Sequence, residues 1–448
     1  MTINKVLIAN RGEIAVRIIR ACKELGLKTV AVYSTADNEA LHAKLADESI
    51  CIGGPKPSES YLNIPAIISV AEATQADAVH PGYGFLSENA EFAEICGRCG
   101  LTFIGPQVRH IRLMGDKAKA RRMAEKAGVP TIPGDSKGFL EASEALEVAK
   151  NIGFPVLLKA CAGGGGRGMK IVRNSQDFEL AFNTATIEVK NAFGDGTLLV
   201  EKFLEKVRHV EVQIIGDRFS NVVHVGTRDC SMQRRYQKLL EESLAPNLSE
   251  SLIKKLEEAS IKLAKEVNYS SLGTMEFLVD TKNDKFYFIE MNTRLQVEHP
   301  VSEMVSQIDL VKEQINVASG KGLSVSQEDI SFNGHAIELR INAEDPKTKM
   351  PSPGTITSYH QPNGMGIRVE SAMYQGYTIP PYYDSLIAKL IAFGNTRQDC
   401  INKLLIALDE FFIEGIKTNI DIFKKILSDK DFVSTDIYTK FLEDKNLA

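Results

Sequence analysis

Phe154-Pro155-Val156-Leu157-Leu158-Lys159 is an apolar run ending in a lysine, and Gly163-Gly164-Gly165-Gly166-Arg167-Gly168 follows within a few residues. Consecutive residues without a Cβ let backbone N–H groups close around phosphate oxygens, and a strand-end ammonium adds a point charge for the same oxygens. No Gly-Lys-Ser/Thr closes the run, so it is not a Walker A loop. No helix opens inside it, so it is not a dinucleotide fingerprint. Taken alone, a flexible surface linker is the plain alternative.

A second group of residues points to a divalent cation. The apolar stretches 274–280 and 286–292 read as a hairpin around the polar 281–285. A turn centred on Asn283 sets Glu276 opposite Glu290, and like charges directly opposed destabilise a strand pair. Such a pair calls for a cation between the carboxylates or for a raised pKa. Asn292, two residues beyond Glu290, lies on the same face and offers a carbonyl oxygen. Oxygen-only ligands suit Mg²⁺ or Mn²⁺ shared with phosphates; two glutamates on a solvated face is the alternative. Directly after the hairpin come Arg294, a planar fork donor suited to a planar oxyanion, and Glu298, a possible general base four residues on. The segment Arg228-Asp229-Cys230-Ser231-Met232-Gln233-Arg234-Arg235-Tyr236-Gln237-Lys238 is densely cationic, with Lys202, Arg208 and His209 upstream. A solvated basic loop would look the same, and neither segment alone specifies an activity.

These residues need elements to position them. Residues 1–105 alternate strand-like runs (5–9, 29–33, 49–52, 77–80, 101–104) with helical patterns (13–25, 63–73 and about 87–96), a doubly wound α/β rhythm. In the first helix Ile14, Ile18, Cys22 and Leu25 share one face, and Gly26 follows as a residue able to take positive φ. A basic helical stretch runs from 109 to 127, stopped by Gly128-Val129-Pro130. Residues 135–204 read helix, strand, glycine loop, strand, helix, strand, compact enough for a subdomain that moves as a lid. Residues 205–330 read as strands, a helix over 249–267, the hairpin and a helix over 310–319. The remainder mixes strands with a helix around 399–412. The expected domains are 1–113, 114–330 with its lid, and 334–445.

Composition narrows the classes. The chain has 448 residues, 53 Lys+Arg against 58 Asp+Glu and a formal charge of −5, which argues against nucleic-acid binding through bulk charge. Its seven cysteines are scattered and odd in number, as for reduced thiols in a cytosol. The Cys96–Cys99 spacing has no second pair to make a zinc site, and Cys230 reads as a packing residue. No run approaches the ~18 apolar residues of a membrane helix. The expectation is a cytoplasmic protein with neither membrane nor nucleic-acid partners.

Lys117, Lys159, the glycine loop, Glu276, Glu290 and Asn292, in this order, resemble the ATP-grasp superfamily. The match tightens with Ile8-Ala9-Asn10-Arg11-Gly12-Glu13-Ile14-Ala15, with His80-Pro81-Gly82-Tyr83-Gly84-Phe85-Leu86-Ser87-Glu88-Asn89, with 228–235, with 290–300 and with Pro380-Pro381-Tyr382-Tyr383-Asp384-Ser385. Together they resemble biotin carboxylases over essentially the whole chain. The resemblance implies an α/β and α+β multidomain fold: a Rossmann-like N-terminal domain, an ATP-grasp central domain with a mobile lid, and a mixed α+β C-terminal domain. It implies a ligase that makes N1′-carboxybiotin from bicarbonate, ATP and biotin with Mg²⁺ or Mn²⁺.

By the same resemblance Lys117, Lys159, Gly165, Gly166, Glu201, Lys202, Phe203, Leu204, His209, Gln233 and Tyr236 hold ATP, and Glu276, Glu290 and Asn292 hold the metal, with the two glutamates serving the nucleotide as well. Lys238, Arg294, Gln296 and the backbone of Val297 hold bicarbonate, Glu298 removes its proton, and Arg340 stabilises the enolate-like biotin anion. An ordinary ion pair is the alternative for Arg340, and His299 reads as a local structural residue. Two positions depart from the family pattern: Ala162 begins the glycine run, and Tyr236 stands where some members carry His. The nearest echoes of a biotinylation sequence, Gly168-Met169-Lys170-Ile171 and Thr348-Lys349-Met350, do not match one. Biotin is therefore expected on a separate carboxyl carrier protein, with carboxyltransferase subunits elsewhere and a homodimeric enzyme. Acetyl-CoA carboxylase is the expected system; pyruvate or another acyl-CoA is the alternative. A carboxyaminoimidazole or carbamoyl-phosphate type ligase fits the Asn10–Ala15 signature and the 294–298 segment less well, and a silent regulatory subunit has no reason to keep the costly paired carboxylates.

Overall fold

The computed structural model describes residues 3–135, 137–161 and 169–447. Ala162, Gly165 and Gly166 of the glycine loop lie outside the described residues.

The strands Lys5–Ile8, Lys28–Tyr33, Glu48–Cys51, Ala78–His80 and Thr102–Phe103 form a parallel sheet, in the order third, second, first, fourth, fifth. That is a doubly wound order, and its switch point falls between the first and fourth strands. There the Asn10 side chain donates to the carbonyls of Pro81 and Tyr83, both at 2.7 Å. Gly82 (φ +64) is required because a Cβ would lie 2.9 Å from that side chain. The helix Gly12–Glu24 buries Ile14, Ile18 and Cys22 as expected, and Gly26 takes φ +74.

The helical stretch expected over 109–127 is two helices, Val108–Gly115 and Lys117–Lys126. Asp116 breaks it: its backbone is extended, and its carboxylate accepts from the Lys119 N–H at 3.0 Å. An N-cap satisfies a donor that helix ends leave orphaned, and here it outweighs continuing the first helix. Lys117 thereby opens the second helix. The helix His299–Ser306, with Pro300 in its first turn, was not anticipated.

The segment expected as a lid has the anticipated order: Ala142–Ile152, Val156–Ala160, Lys170–Val172, Phe178–Phe193 and Leu198–Lys202. Its three strands pair with Val156–Ala160 in the middle, and Val156, Phe178, Phe182 and Val200 belong to a core of its own.

The largest element is an eight-stranded antiparallel sheet. From one edge to the other run Lys285–Asn292, Ser271–Asp280, Arg208–Gly216, Val222–Arg234, Gln237–Ser243, His335–Asn342, Leu386–Gly394 and Ile367–Ser371. Leu240 pairs with Leu339, so the sheet runs without a break from residues before 330 into those after 334. On Arg208–Gly216 the apolar Val210, Val212 and Ile214 pack with Leu252, Leu256 and Leu263 of the helix Glu250–Glu266. Strand alternation turns His209, Glu211 and Gln213 to the other face.

Two irregularities shape that face. The hairpin turn is Thr281–Asp284, so pairs from Asp280–Lys285 to Phe277–Phe288 sit half a residue from the expected centre. A bulge then absorbs Ile289 and restores the pairing of Glu276 with Glu290. The second lies between Val222–Arg234 and Gln237–Ser243, where Met232 pairs with Leu240 and Gln233 with Lys238, leaving Leu239 as an extra residue. Lys238 is thereby brought to the face that carries Glu241, three positions on.

Candidate active site

Register sets Glu276 opposite both Glu290 and Glu211, and Glu211 opposite Arg228. A row of three carboxylates and a guanidinium thus crosses four strands. Glu211 is fully buried, and Arg228 donates to it from both Nε (3.2 Å) and Nη2 (3.0 Å). The Lys238 ammonium lies over this row, in contact with Glu211, 3.2 Å from Glu276 Oε1 and 2.8 Å from Glu298 Oε1. Burial pulls its pKa down, but the three carboxylates outweigh burial and hold it well above the usual lysine range.

Glu298 has no exposed surface. Lys238 takes one of its oxygens, and Arg340 Nη2 donates to the other at 3.0 Å while Arg340 Nε donates to Glu241 at 2.6 Å. Burial raises the Glu298 carboxyl, but Lys238, Arg340 and Arg228 outweigh burial and keep it well below the usual range, hence ionised. The helix His299–Ser306 starts directly after it, and its positive end favours the same charge state. An ionised carboxylate between two fixed cations can take a proton from an anion that those cations hold.

Arg294 completes this end. Its Nε donates to Glu88 at 2.9 Å, Nη1 to Gln296 Oε1 at 2.7 Å and Nη2 to Asn292 Oδ1 at 2.9 Å. Asn292 Nδ2 and Gln296 Nε2 both donate to Glu276 Oε1, at 2.5 and 3.3 Å. The Val297 carbonyl accepts from Lys389, a fully buried lysine that also pairs with Glu13 at 3.2 Å. Cys230 is buried with its thiol pushed well up by desolvation, and His299 is held by the Gln296 carbonyl at 2.8 Å. Both match their structural readings.

The other end is looser. Glu290 keeps a third of its side chain exposed and has Lys117 at 3.7 Å. The sequence called for a cation or a proton between Glu276 and Glu290. In the structure Glu276 is instead compensated by the protein: burial raises its pKa, and Lys238 with His209, whose Nε2 is 3.0 Å away, pulls it well below the usual range. Gln233 Nε2 lies 2.8 Å from the other His209 nitrogen. Lys159 pairs with Glu201 at 2.6 Å, and Arg121 reaches the other Glu201 oxygen at 3.3 Å. The Lys202 ammonium donates to the carbonyls of Gly153 and Phe154, and Phe203 has the Lys440 ammonium 5.0 Å from its ring centre. Leu204, half-buried, lies on the segment that leaves the three-stranded subdomain for the central sheet. Tyr236 stands at a hairpin tip, 48% exposed, where Arg235 and Tyr236 both take positive φ.

Sequence reasoning missed Glu211, Glu241 and Lys389, and gave no role to Glu13, Glu88 or Glu338, which stand only within the segments around Asn10, Gly84 and Arg340. A signal existed for some of them. Buried polar residues at every second position of apolar strands, as in His209-Val210-Glu211-Val212-Gln213 and Glu338-Leu339-Arg340, must find partners on a covered face.

Three family models match consecutive parts of the chain. They are described as the biotin carboxylase N-terminal domain (residues 2–111), the carbamoyl-phosphate synthase L chain ATP-binding domain (116–326) and the biotin carboxylase C-terminal domain (338–444). Biotin carboxylase 1 of Bacillus subtilis is 53% identical over 98% of both chains. A biotin carboxylase from Campylobacter jejuni, solved as a β-γ-ATP complex, superposes with a TM-score of 0.96 at 55% identity, covering 99% of each chain. The biotin carboxylase domain dimer of Hydrogenobacter thermophilus 2-oxoglutarate carboxylase, solved with MgADP, ADP and bicarbonate, gives 0.96 at 50% identity over 100% of this chain and 98% of its own. With this fold, this buried charge constellation and this likeness along its whole length, the chain belongs to the biotin carboxylase family and is an ATP-grasp ligase.

Proposed function

We propose that the protein carboxylates biotin, borne on a separate carrier protein, using bicarbonate and ATP, and releases ADP and phosphate. The observation that carries this reading is Glu298 clamped between Lys238 and Arg340 beside the Arg294–Gln296 pair. The relatives solved with a β-γ-ATP ligand, and with MgADP and bicarbonate, support it.

Bicarbonate binds to Lys238, Arg294, Gln296 and the backbone of Val297, and Glu298 accepts its proton. The resulting carbonate attacks the γ-phosphorus of ATP, forming carboxyphosphate as the bond to ADP breaks. Carboxyphosphate separates into CO₂ and phosphate, phosphate takes the N1′ proton of biotin, and N1′ bonds to CO₂. Arg340 stabilises the enolate-like anion by charge set in advance where it develops. Glu276 and Glu290 offer carboxylate oxygens that suit Mg²⁺ or Mn²⁺, and Asn292, whose nitrogen faces Glu276 and whose oxygen accepts from Arg294, would turn its amide to join them; the ion would offset phosphate charge when bound with ATP. Lys117 and Lys159 hold phosphate oxygens, and Glu201, Lys202, Phe203, Leu204, His209, Gln233 and Tyr236 line the nucleotide. The functional units are 1–113, 114–330 and 334–445. The lid at 135–204 closes over ATP and keeps carboxyphosphate from water.

The biotin carboxyl carrier, the carboxyltransferase subunits, a homodimeric state and a cytoplasmic location belong to this proposal. Among the described residues no helix is long and apolar enough to cross a membrane. We place the enzyme in acetyl-CoA carboxylase; the likeness to a 2-oxoglutarate carboxylase domain supports a 2-oxo acid acceptor as the second reading.

The test is ATP hydrolysis by the purified protein with Mg²⁺, with and without bicarbonate and free biotin. Hydrolysis should require bicarbonate, rise with biotin and collapse in Glu298→Ala and in Glu276→Ala. Turnover indifferent to bicarbonate refutes the proposal.

A further inference from the structure

Glu338 is a fully buried carboxyl that the reaction above does not use. Strand pairing sets it directly opposite Glu241, also fully buried. Neither Glu338 oxygen has a hydrogen-bond partner among the described residues, nor does Glu241 Oε2. Glu241 Oε1 accepts from Arg340 Nε, the guanidinium whose Nη2 reaches Glu298. Two carboxylates opposed in a dry site cannot both be charged cheaply, and an ionised, donorless carboxylate there costs several kcal/mol.

The surrounding charges leave no cation for Glu338. Arg340 lies on its own strand, and Glu241 and Lys238 face it from Gln237–Ser243. Lys389, on Leu386–Gly394, gives its ammonium to the Val297 carbonyl and to Glu13. Glu298 comes from the start of the helix His299–Ser306; Glu13 and Tyr83, hydrogen-bonded to each other, come from the N-terminal domain. Arg228, Lys238, Arg294, Arg340 and Lys389 are each already engaged by Glu211, Glu298, Glu88, Glu241 or Glu13. Of the opposed pair, Glu241 has Arg340 as a donor and Glu338 has none, so Glu338 is the place for a proton. Burial pushes both carboxyls up, Glu338 well above the usual carboxylate range, while Arg340 pulls Glu241 back down.

We propose that Glu338 is a positioning residue, kept as the neutral acid and donating its proton to Glu241, so that Glu241 remains a single anion that aims Arg340 at Glu298 and at the biotin anion. The effect on turnover rests on the reading of the reaction given above; the shared proton does not. When rising pH removes that proton, two adjoining anions pull Arg340 off its aim and biotin carboxylation falls.

Infrared spectra of the ligand-free protein at pH 7 test the proton, and the pH profile of biotin-dependent turnover tests the positioning. The Glu338→Gln minus wild-type difference should show loss of a protonated-carboxyl band, and the variant's alkaline limb should move up by about one pH unit or more. Glu338→Asp, which can still ionise, should keep the limb. A band unchanged in Glu338→Gln, or superimposable pH profiles, overturns the proposal. So does a wild-type spectrum with no such band at pH 7, whatever the fate of the variants. A protein with the band but no bicarbonate-dependent turnover refutes the reaction and leaves the proton pair standing.

Discussion

Glu298 has both oxygens held by Lys238 and Arg340 and no exposed surface, whereas Glu290, also on the site's face, keeps a third of its side chain in solvent with Lys117 at 3.7 Å. Arg294, Gln296 and Asn292 are likewise mutually engaged, while Lys159 and Glu201 sit on a subdomain with its own core. The proposed reaction accounts for this difference. Where charge develops in the reaction, groups fixed in advance avoid reorganisation at the moment of bond making. Where, on that proposal, a nucleotide enters and its product leaves every cycle, groups left for the ligand to organise suit the traffic.

The comparison breaks most visibly at the rigid end. Arg340→Met should lower biotin-dependent turnover on the order of 10²–10³-fold, the range for removing a preset donor from developing charge. Bicarbonate-dependent hydrolysis without biotin should fall less, and equal losses in the two assays would place Arg340 in bicarbonate activation instead. Next in size comes a buried cluster on the opposite face of the same sheet, at Glu242. Burial raises the Glu242 carboxyl, but His335 and Arg397 outweigh burial and set it at about 2. Because the folded value lies below the unfolded one, its stabilisation is complete above the unfolded pKa and is lost as pH falls toward 2. It amounts to about 3 kcal/mol. Chemical denaturation of Glu242→Gln at pH 7 and pH 3 should show a deficit that shrinks at the lower pH. A constant deficit would mean that packing, not charge, holds the residue. The smallest effect belongs to the open end: Lys117→Met should raise the KM for ATP about tenfold, equivalent to about 1.4 kcal/mol, with kcat changed far less. A kcat loss matching that of Arg340→Met would abolish the distinction between the ends.

Helix Gly12–Glu24 was legible because its stripe repeats within a few residues, and the order of elements over 135–204 was legible for the same reason. The 109–127 stretch was misread because its apolar pattern continues through a capping residue, and only the Asp116 backbone reveals the break. The Glu276–Glu290 pairing was reached from a turn centre that the structure does not have, and it survives because the Ile289 bulge compensates. Nothing in a period-two pattern announces such a bulge. Arg340 could be singled out, but Glu241, 99 residues away in sequence, could not.

By itself, the sequence determined the kinds of element, their order and which face of each is apolar, together with the charged residues that demand partners, because periodicity and residue chemistry act over a few neighbouring positions. Tertiary structure alone decided which charges meet. Glu88 reaches Arg294 across 206 residues, and Glu338 comes to face Glu241 only because the central sheet runs on past residue 334. Such meetings depend on the register between distant strands, which is set by the packing of whole elements and by two single-residue bulges rather than by any local pattern.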